Sequence, residues 1–246
     1  MGNLYTLPNH YDRALEARGI KCRVFNRFLP VLSVRLNNRD HRKICVVDGH
    51  TAFTGGINLA DEYINGKERF GHWKDSAIRL KGEAAWSMTV MFLTMWEYVS
   101  GDREDIPTYR PRVLPSEAWE SKGWVQPYTD SPLVREPVAE TVYLNLINKA
   151  REYIYITTPY LIINDSVNTA LRAASQSGVD VRIFTPHIPD KKTVFEMTRA
   201  HYIPLLEAGV RIFEYTPVFL HVKTFVVDDL YATVGSINLD YRSMFL

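Results

Sequence analysis

Cysteine is nearly missing from this chain. Cys22 and Cys45 are the only two in 246 residues, too few for a disulfide framework, and Cys45 lies in an apolar run where a buried thiol is expected. A reducing compartment is the default. A surplus of either charge is missing as well: 29 Lys and Arg stand against 28 Asp and Glu, a formal net charge of +1, without the basic excess of a non-specific nucleic-acid binder. Long hydrophobic runs are absent, since the most apolar helical stretch, Ala84 to Val99, is interrupted by Ser87, Thr89, Thr94 and Glu97 and is too short to span a bilayer. It reads as a core helix. Nothing resembles a secretory signal, and the start Met1-Gly2-Asn3-Leu4-Tyr5-Thr6 matches an N-myristoylation pattern too short to carry weight. His10, His72, His187 and His201 lack the spacing of zinc ligands, so neither metal nor cofactor is expected. What the chain does have is 46% hydrophobic and 12% aromatic content, enough for one or two compact units.

An internal repeat organises those units. His41-Arg42-Lys43-Ile44-Cys45-Val46-Val47-Asp48, followed by Gly55-Gly56-Ile57-Asn58-Leu59, recurs as His221-Val222-Lys223-Thr224-Phe225-Val226-Val227-Asp228, followed by Gly235-Ser236-Ile237-Asn238-Leu239. Upstream, His10-Tyr11, Leu15-Glu16-Ala17, Gly19 and Arg23-Val24-Phe25 match His201-Tyr202, Leu206-Glu207-Ala208, Gly209 and Arg211-Ile212-Phe213, each reading as helix, Gly cap, strand. The first copy holds an insertion between Asn26 and Asp40. Before its Gly the second copy has helix near Val138 to Ala150, strand at Tyr153 to Thr157, helix near Val167 to Ser175 and strand at Val179 to Phe184. That alternation predicts an α/β fold with mostly parallel sheets. The first copy has no counterpart to these elements, so it reads as incomplete, with an unpaired sheet edge expected in an unstable or inactive fragment. The predicted organisation is a first half over 1–100, a linker over 101–124 that contains Pro107, Pro111 and Pro115, and a second half over 125–246.

A two-residue turn at Gly49-His50 would pair Asp48 with Thr51, and counting outward sets His41 opposite Asn58 and Lys43 opposite Gly56. The strand period of two places His41 and Lys43 on one face. The same count applies to His221, Lys223, Ser236 and Asn238. This set suits a phosphodiester: Lys supplies a point cation for non-bridging oxygens, Asn donates hydrogen bonds, and His acts as nucleophile or proton donor. Two copies face to face would supply both partners of an in-line displacement. Asp48 and Asp228 sit at turns, where a structural role is favoured over direct chemistry.

The two motifs resemble the signature of the phospholipase D superfamily, and the surrounding wording resembles the bacterial cardiolipin synthases. The residues that carry this are Asn37-Asn38-Arg39-Asp40-His41-Arg42-Lys43, Gly55 through Tyr63, His72-Trp73-Lys74-Asp75, Thr158-Pro159-Tyr160 and Asn238 through Ser243. The resemblance implies two pseudo-repeated α/β halves facing each other across one active site and a metal-independent phosphatidyl transfer. One phosphatidylglycerol would form a phosphohistidine and release glycerol, and a second would take up the phosphatidyl group. His41 would be the nucleophile and His221 the general acid and then base; Lys43, Lys223, Asn58 and Asn238 would hold the phosphate, beside Gly56 and Ser236. Asp48 and Asp228 complete the motifs, and Asp61 or Glu62 would orient the imidazole of His221. The implied partners are phosphatidylglycerol and the membrane surface, and the implied location of a full-length parent is the cell membrane with a cytoplasmic site. Family members usually carry membrane helices before a complete first half, and a Glu beyond the second motif that faces the opposite His. The alternatives are a phospholipase or nuclease using the same histidines on water, or an inactive lipid-binding fragment. The insertion from Arg23 to Arg39, with Phe25, Phe28, Leu29, Val31 and Leu32 beside Arg27 and Arg35, is the candidate membrane contact.

Overall fold

The computed structural model describes residues 7–26, 40–111, 123–130 and 136–245. The N-terminal acylation pattern and residues 27–39 of the insertion lie outside the described residues.

After a short helix α1 (Tyr11–Glu16), the first half forms the hairpin β1 (Ile44–Val47) and β2 (Thr51–Gly55), then the short strands β3 (Trp73–Lys74) and β4 (Ala77–Lys81) and the long helix α2 (Glu83–Ser100). Strands β1, β2 and β4 make an antiparallel sheet in that order. Helix α2 turns Ala85, Met88, Thr89 and Leu93 inward, the three-to-four-residue stripe of an amphipathic helix, and ends on Gly101 in the left-handed region. Ala85 and Met88 meet Ala52 and Leu80 in a small core. The first part of the expected linker is packed, not loose: the Trp96 indole donates to Glu104 at 3.1 Å, Arg110 donates to Glu83, and Tyr109 lies over the Gly49 turn. Residues 112–122 lie outside the described residues.

The second half contains α3 (Val138–Lys149), β5 (Tyr153–Thr157), β6 (Leu161–Ile162), α4 (Asp165–Gln176), β7 (Asp180–Pro186), α5 (Lys192–Ala200), α6 (Tyr202–Glu207), β8 (Arg211–Tyr215), β9 (Phe219–Leu220), β10 (Thr224–Val227), β11 (Tyr231–Val234), β12 (Leu239–Asp240) and α7 (Tyr241–Phe245). Its main sheet runs β11-β10-β5-β7-β8. Ile154, Ile156, Val181, Ile183, Phe225 and Val227 are buried there with Leu171 and Leu205 from the helices. Each fully buried Ile or Leu contributes about 1.5–3 kcal/mol. Within this sheet β5, β7 and β8 run parallel, joined through helical crossovers. The α/β fold is as expected, with sheets that are mixed and not purely parallel. The motif hairpins, the β10–β5 contact and the whole β1-β2-β4 sheet are antiparallel; in the hairpins this follows from the short turns, since a connection of a few residues can join only antiparallel neighbours.

The hairpin register also differs from the count. Val47 pairs with Thr51 and Val227 with Tyr231, so each turn holds three residues rather than two. Asp48 (φ 51°) and Gly49 (φ 70°) take the left-handed region, as do Asp228 (φ 53°) and Asp229 (φ 55°). The His50 amide returns to the Val47 carbonyl and the Leu230 amide to the Val227 carbonyl, which leaves one extra residue before the strands pair again.

One contact aligns the two halves. Strand β3 pairs parallel with β9, Trp73 against Phe219 and Lys74 against Leu220, and the ladder continues with the His221 amide donating to the Lys74 carbonyl at 2.8 Å. Trp73, Phe219 and Phe70 pack their rings across this seam.

Candidate active site

The β3–β9 ladder sets Asp75 beside His221. The Nδ1 atom of His221 lies 2.7 Å from Asp75 Oδ2, in a pair whose side chains are 8% and 2% exposed. A carboxylate can only accept, so this bond places the proton on Nδ1 and leaves Nε2 for the reacting atom. Lys223 Nζ is also 2.8 Å from Nδ1, but with that nitrogen protonated the ammonium donates instead to the His221 carbonyl. Lys43 makes the same return to its own histidine, donating to the His41 carbonyl at 2.6 Å. The two copies thus share one local design, a Lys two residues on that folds back over the His.

The rings of Tyr63 and Trp73 frame His221, with centroids 5.5 and 5.0 Å away. Asn58 donates its amide to the Tyr63 hydroxyl, and Asn238 donates to Ser243 Oγ at 3.0 Å. The Asn238 Oδ1 atom is buried with no partner among the described residues. His41 stands at the open side of the site, its ring bonded to the Ser236 backbone, and it feels Lys43, Lys223 and His221 together. Residues from both halves therefore converge on one centre.

Four cationic or potentially cationic groups share this space, and each is pushed toward its neutral form. Burial is the leading cause for His41, followed by repulsion from Lys43, Lys223 and His221, and its pKa is lowered. Burial also lowers His221, where Asp75 opposes the shift and Lys223 adds to it. Lys43 falls to about 8 and Lys223 to about 7, again mainly by burial, with Asp40 and then Asp75 holding Lys43 up and Asp75 holding Lys223 up. An anion placed among them would be strongly favoured, since it restores their charge.

Several expected site residues lie elsewhere. Asp228 uses its carboxylate on the backbone amides of Arg151, Glu152 and Tyr153 at 2.7 to 3.0 Å, which anchors the start of β5; it occupies the turn at the far end of β10 from His221. Asp48 sits at the matching turn of β1. These two, expected to complete the motifs but favoured from the sequence as turn residues, take positive φ at the hairpin turns. Asp61 and Glu62 lie in a 3-10 turn, and the acid on His221 is Asp75 instead. Gly56 has a steric task, because a Cβ there would sit 2.1 Å from Asp75 Oδ1. Sequence reasoning missed the role of Asp75 because residues 72–75 have no second copy within the chain, so the repeat could not flag them.

Comparisons with known proteins agree with this geometry. Residues 143–246 match the family described as cardiolipin synthase, PLD-like domain. Residues 143–246 thus carry a PLD-like domain, and the whole chain is similar to cardiolipin synthases. It is 50% identical over 245 residues to an uncharacterized protein of Streptococcus mutans, covering 100% of this chain and 52% of that one. It is 40% identical over 243 residues to the cardiolipin synthase of Geobacillus thermodenitrificans, covering 98% of this chain and 48% of the relative. The phospholipase D-like chain thus spans about half the length of the curated relatives it matches. Among solved structures, phosphatidylserine synthase of Haemophilus influenzae Rd KW20 shares the fold, with a TM-score of 0.53 and 15% identity over 83% of this chain and 55% of that one. Among the described residues no helix is long and apolar enough to cross a membrane, and no cluster of His, Cys, Asp and Glu could hold a metal ion.

Proposed function

We propose that this chain carries the catalytic centre of a cardiolipin-forming phosphatidyltransferase acting on phosphatidylglycerol at a membrane surface. The observation that carries the reading is His221, fixed through Nδ1 by the buried Asp75 of the other half, in one centre with His41, Lys43 and Lys223. His41 is kept neutral by its surroundings, which suits a nucleophile. His221 has the carboxylate that stabilises an imidazolium, which suits an acid. In the first step His41 nitrogen bonds to phosphorus while the bond to the glycerol oxygen breaks, and His221 gives that oxygen its proton. In the second step the hydroxyl of another phosphatidylglycerol loses its proton to His221 and bonds to phosphorus as the phosphorus–nitrogen bond breaks. Lys43 and Lys223 stabilise the extra charge on the non-bridging oxygens, with Asn58 and Asn238 beside them.

Product analysis on phosphatidylglycerol vesicles tests this. Cardiolipin and free glycerol are the expected products, and His41→Ala or His221→Ala should each lower their rate by about three orders of magnitude or more, since nucleophile and acid act as a unit. Mass spectrometry of quenched enzyme should find the phosphatidyl group on His41. Phosphatidic acid as sole product would make the chain a phospholipase, and near-normal turnover in either variant would remove the two-histidine mechanism.

A further inference from the structure

Strands β5 and β7 are neighbouring parallel strands, and in such sheets ligands bind beyond the carboxyl ends. Two polar side chains stand there. Tyr160, three residues past the end of β5, donates its hydroxyl to Asp190 Oδ2 at 2.5 Å, and Asp190 follows the end of β7. Lys191 lies over the Tyr160 ring, 5.2 Å from its centroid, and reaches the phenol oxygen at 3.4 Å. Thr158 ties this corner to the catalytic hairpin: its hydroxyl donates to the Tyr160 carbonyl at 2.8 Å and accepts the Leu239 amide, next to Asn238, at 3.0 Å. The charge of Asp190 is felt at Lys223 and at Tyr63, the phenol that takes the Asn58 amide. The pair therefore borders the reacting centre without belonging to either histidine-lysine motif.

The chemistry of this border is opposite to that of the centre. Lys43, Lys223 and the two histidines gather a phosphate, whereas a carboxylate repels one and attracts hydrogen-bond donors. Asp190 has its side chain 18% exposed and pairs through Oδ2 with the Lys191 ammonium at 3.8 Å, and among the described residues none donates a hydrogen bond to its Oδ1, which is left to receive a donor. Burial and the neighbouring carboxylate raise the Tyr160 phenol well above its ordinary range, so it stays a donor to Asp190.

Resting on the phosphatidyl-transfer reading above, we infer that Asp190 and Tyr160 form the acceptor subsite, which binds one hydroxyl of a vicinal-diol headgroup while the other attacks phosphorus. Water has no second hydroxyl to offer, so the subsite favours transfer over hydrolysis. In the step it governs, the acceptor oxygen bonds to phosphorus, the phosphorus–nitrogen bond breaks, and the hydroxyl proton passes to the other histidine.

The test measures the ratio of cardiolipin to phosphatidic acid made from phosphatidylglycerol vesicles, with deuterated glycerol and ethanol as competing soluble acceptors, read as deuterated phosphatidylglycerol against phosphatidylethanol. Asp190→Asn should lower that ratio about tenfold and should erase the preference for glycerol over ethanol, with Tyr160→Phe moving both in the same direction and Asp190→Glu restoring part. Both products falling in parallel with the ratio unchanged would reduce the pair to a structural contact and overturn the proposal, as would an unchanged glycerol preference in Asp190→Asn. Wild-type enzyme that makes only phosphatidic acid, or no product, would sink the phosphatidyl-transfer reading and this subsite with it.

Discussion

Asp75 decides what His221 can do. Replacing it by Asn keeps the size of the side chain but removes the charge that favours the imidazolium. Turnover should fall by about two to four orders of magnitude. The pKa of His221 is already lowered by burial, with Asp75 opposing that shift, so its loss should move the limb on which His221 must be protonated to lower pH. A kcat against pH profile checks both. Gly56→Ala should mimic the defect from outside the reacting set, because the new Cβ would occupy the place of Asp75 Oδ1. Retention of normal turnover by Gly56→Ala would show that Asp75 need not hold its present position.

The two lysines give the centre a stability signature. Burial lowers Lys223 to about 7 and Lys43 to about 8 from the ordinary 10.5, so between these limits the unfolded chain binds more protons than the folded one. Stability must then rise with pH from about 7 toward 10. Above 10 the sign reverses, because Tyr63 is raised to about 12 and keeps a proton that the unfolded chain releases. Urea midpoints measured from pH 7 to 11 should rise and then fall, and Lys223→Met or Lys43→Met should flatten the rising part. A midpoint independent of pH in the wild type would mean the lysines are not desolvated.

At the scale of elements, the hairpin turns serve construction. Asp228 satisfies three backbone amides that open β5, two of them at exposed residues that water can reach, so Asp228→Ala should cost about 0.5–1.5 kcal/mol, read as a lower denaturant midpoint. The tell-tale is that activity per folded molecule persists. A turnover loss at full stability would return Asp228 to the chemistry. Recognising β5, β7, α2 and α3 from the sequence was straightforward, because each has a clean period and a punctuating Gly or charged cluster. The hairpin register was not, since Asp48-Gly49 and Asp228-Asp229 both accept positive φ and a single extra turn residue leaves the hydrophobic pattern almost unchanged. Strands β3 and β9, two residues each, carry no period at all; they exist only because each pairs with the other.

At the scale of the molecule, the repeat provides its own control. Val227 is 0% and Leu239 2% exposed, yet their first-half counterparts Val47 and Leu59 are 46% and 107% exposed. The difference lies in neighbours: β10 is covered by β5 on one side and β11 on the other, whereas among the described residues β1 pairs with β2 alone. An apolar edge left unpaired among the described residues invites strand addition. Sedimentation velocity should reveal concentration-dependent association of these 246 residues, reduced by Val47→Lys, and a monomer at all concentrations would contradict it.

Within the amino-acid sequence, the repeat of His41, Lys43 and Asn58 as His221, Lys223 and Asn238 at a constant displacement determined that one local design is used twice. That pattern is local, set by the alternation of a strand and the reach of a short turn, so it can be read without a partner. The tertiary structure alone decided which acid serves which histidine, why Gly56 lacks a side chain, and that Tyr160 and Asp190 stand together at the border of the site. Those contacts join residues 146 and 30 positions apart, and they depend on a β3–β9 ladder and a parallel β5–β7 pair that form only once both halves have packed.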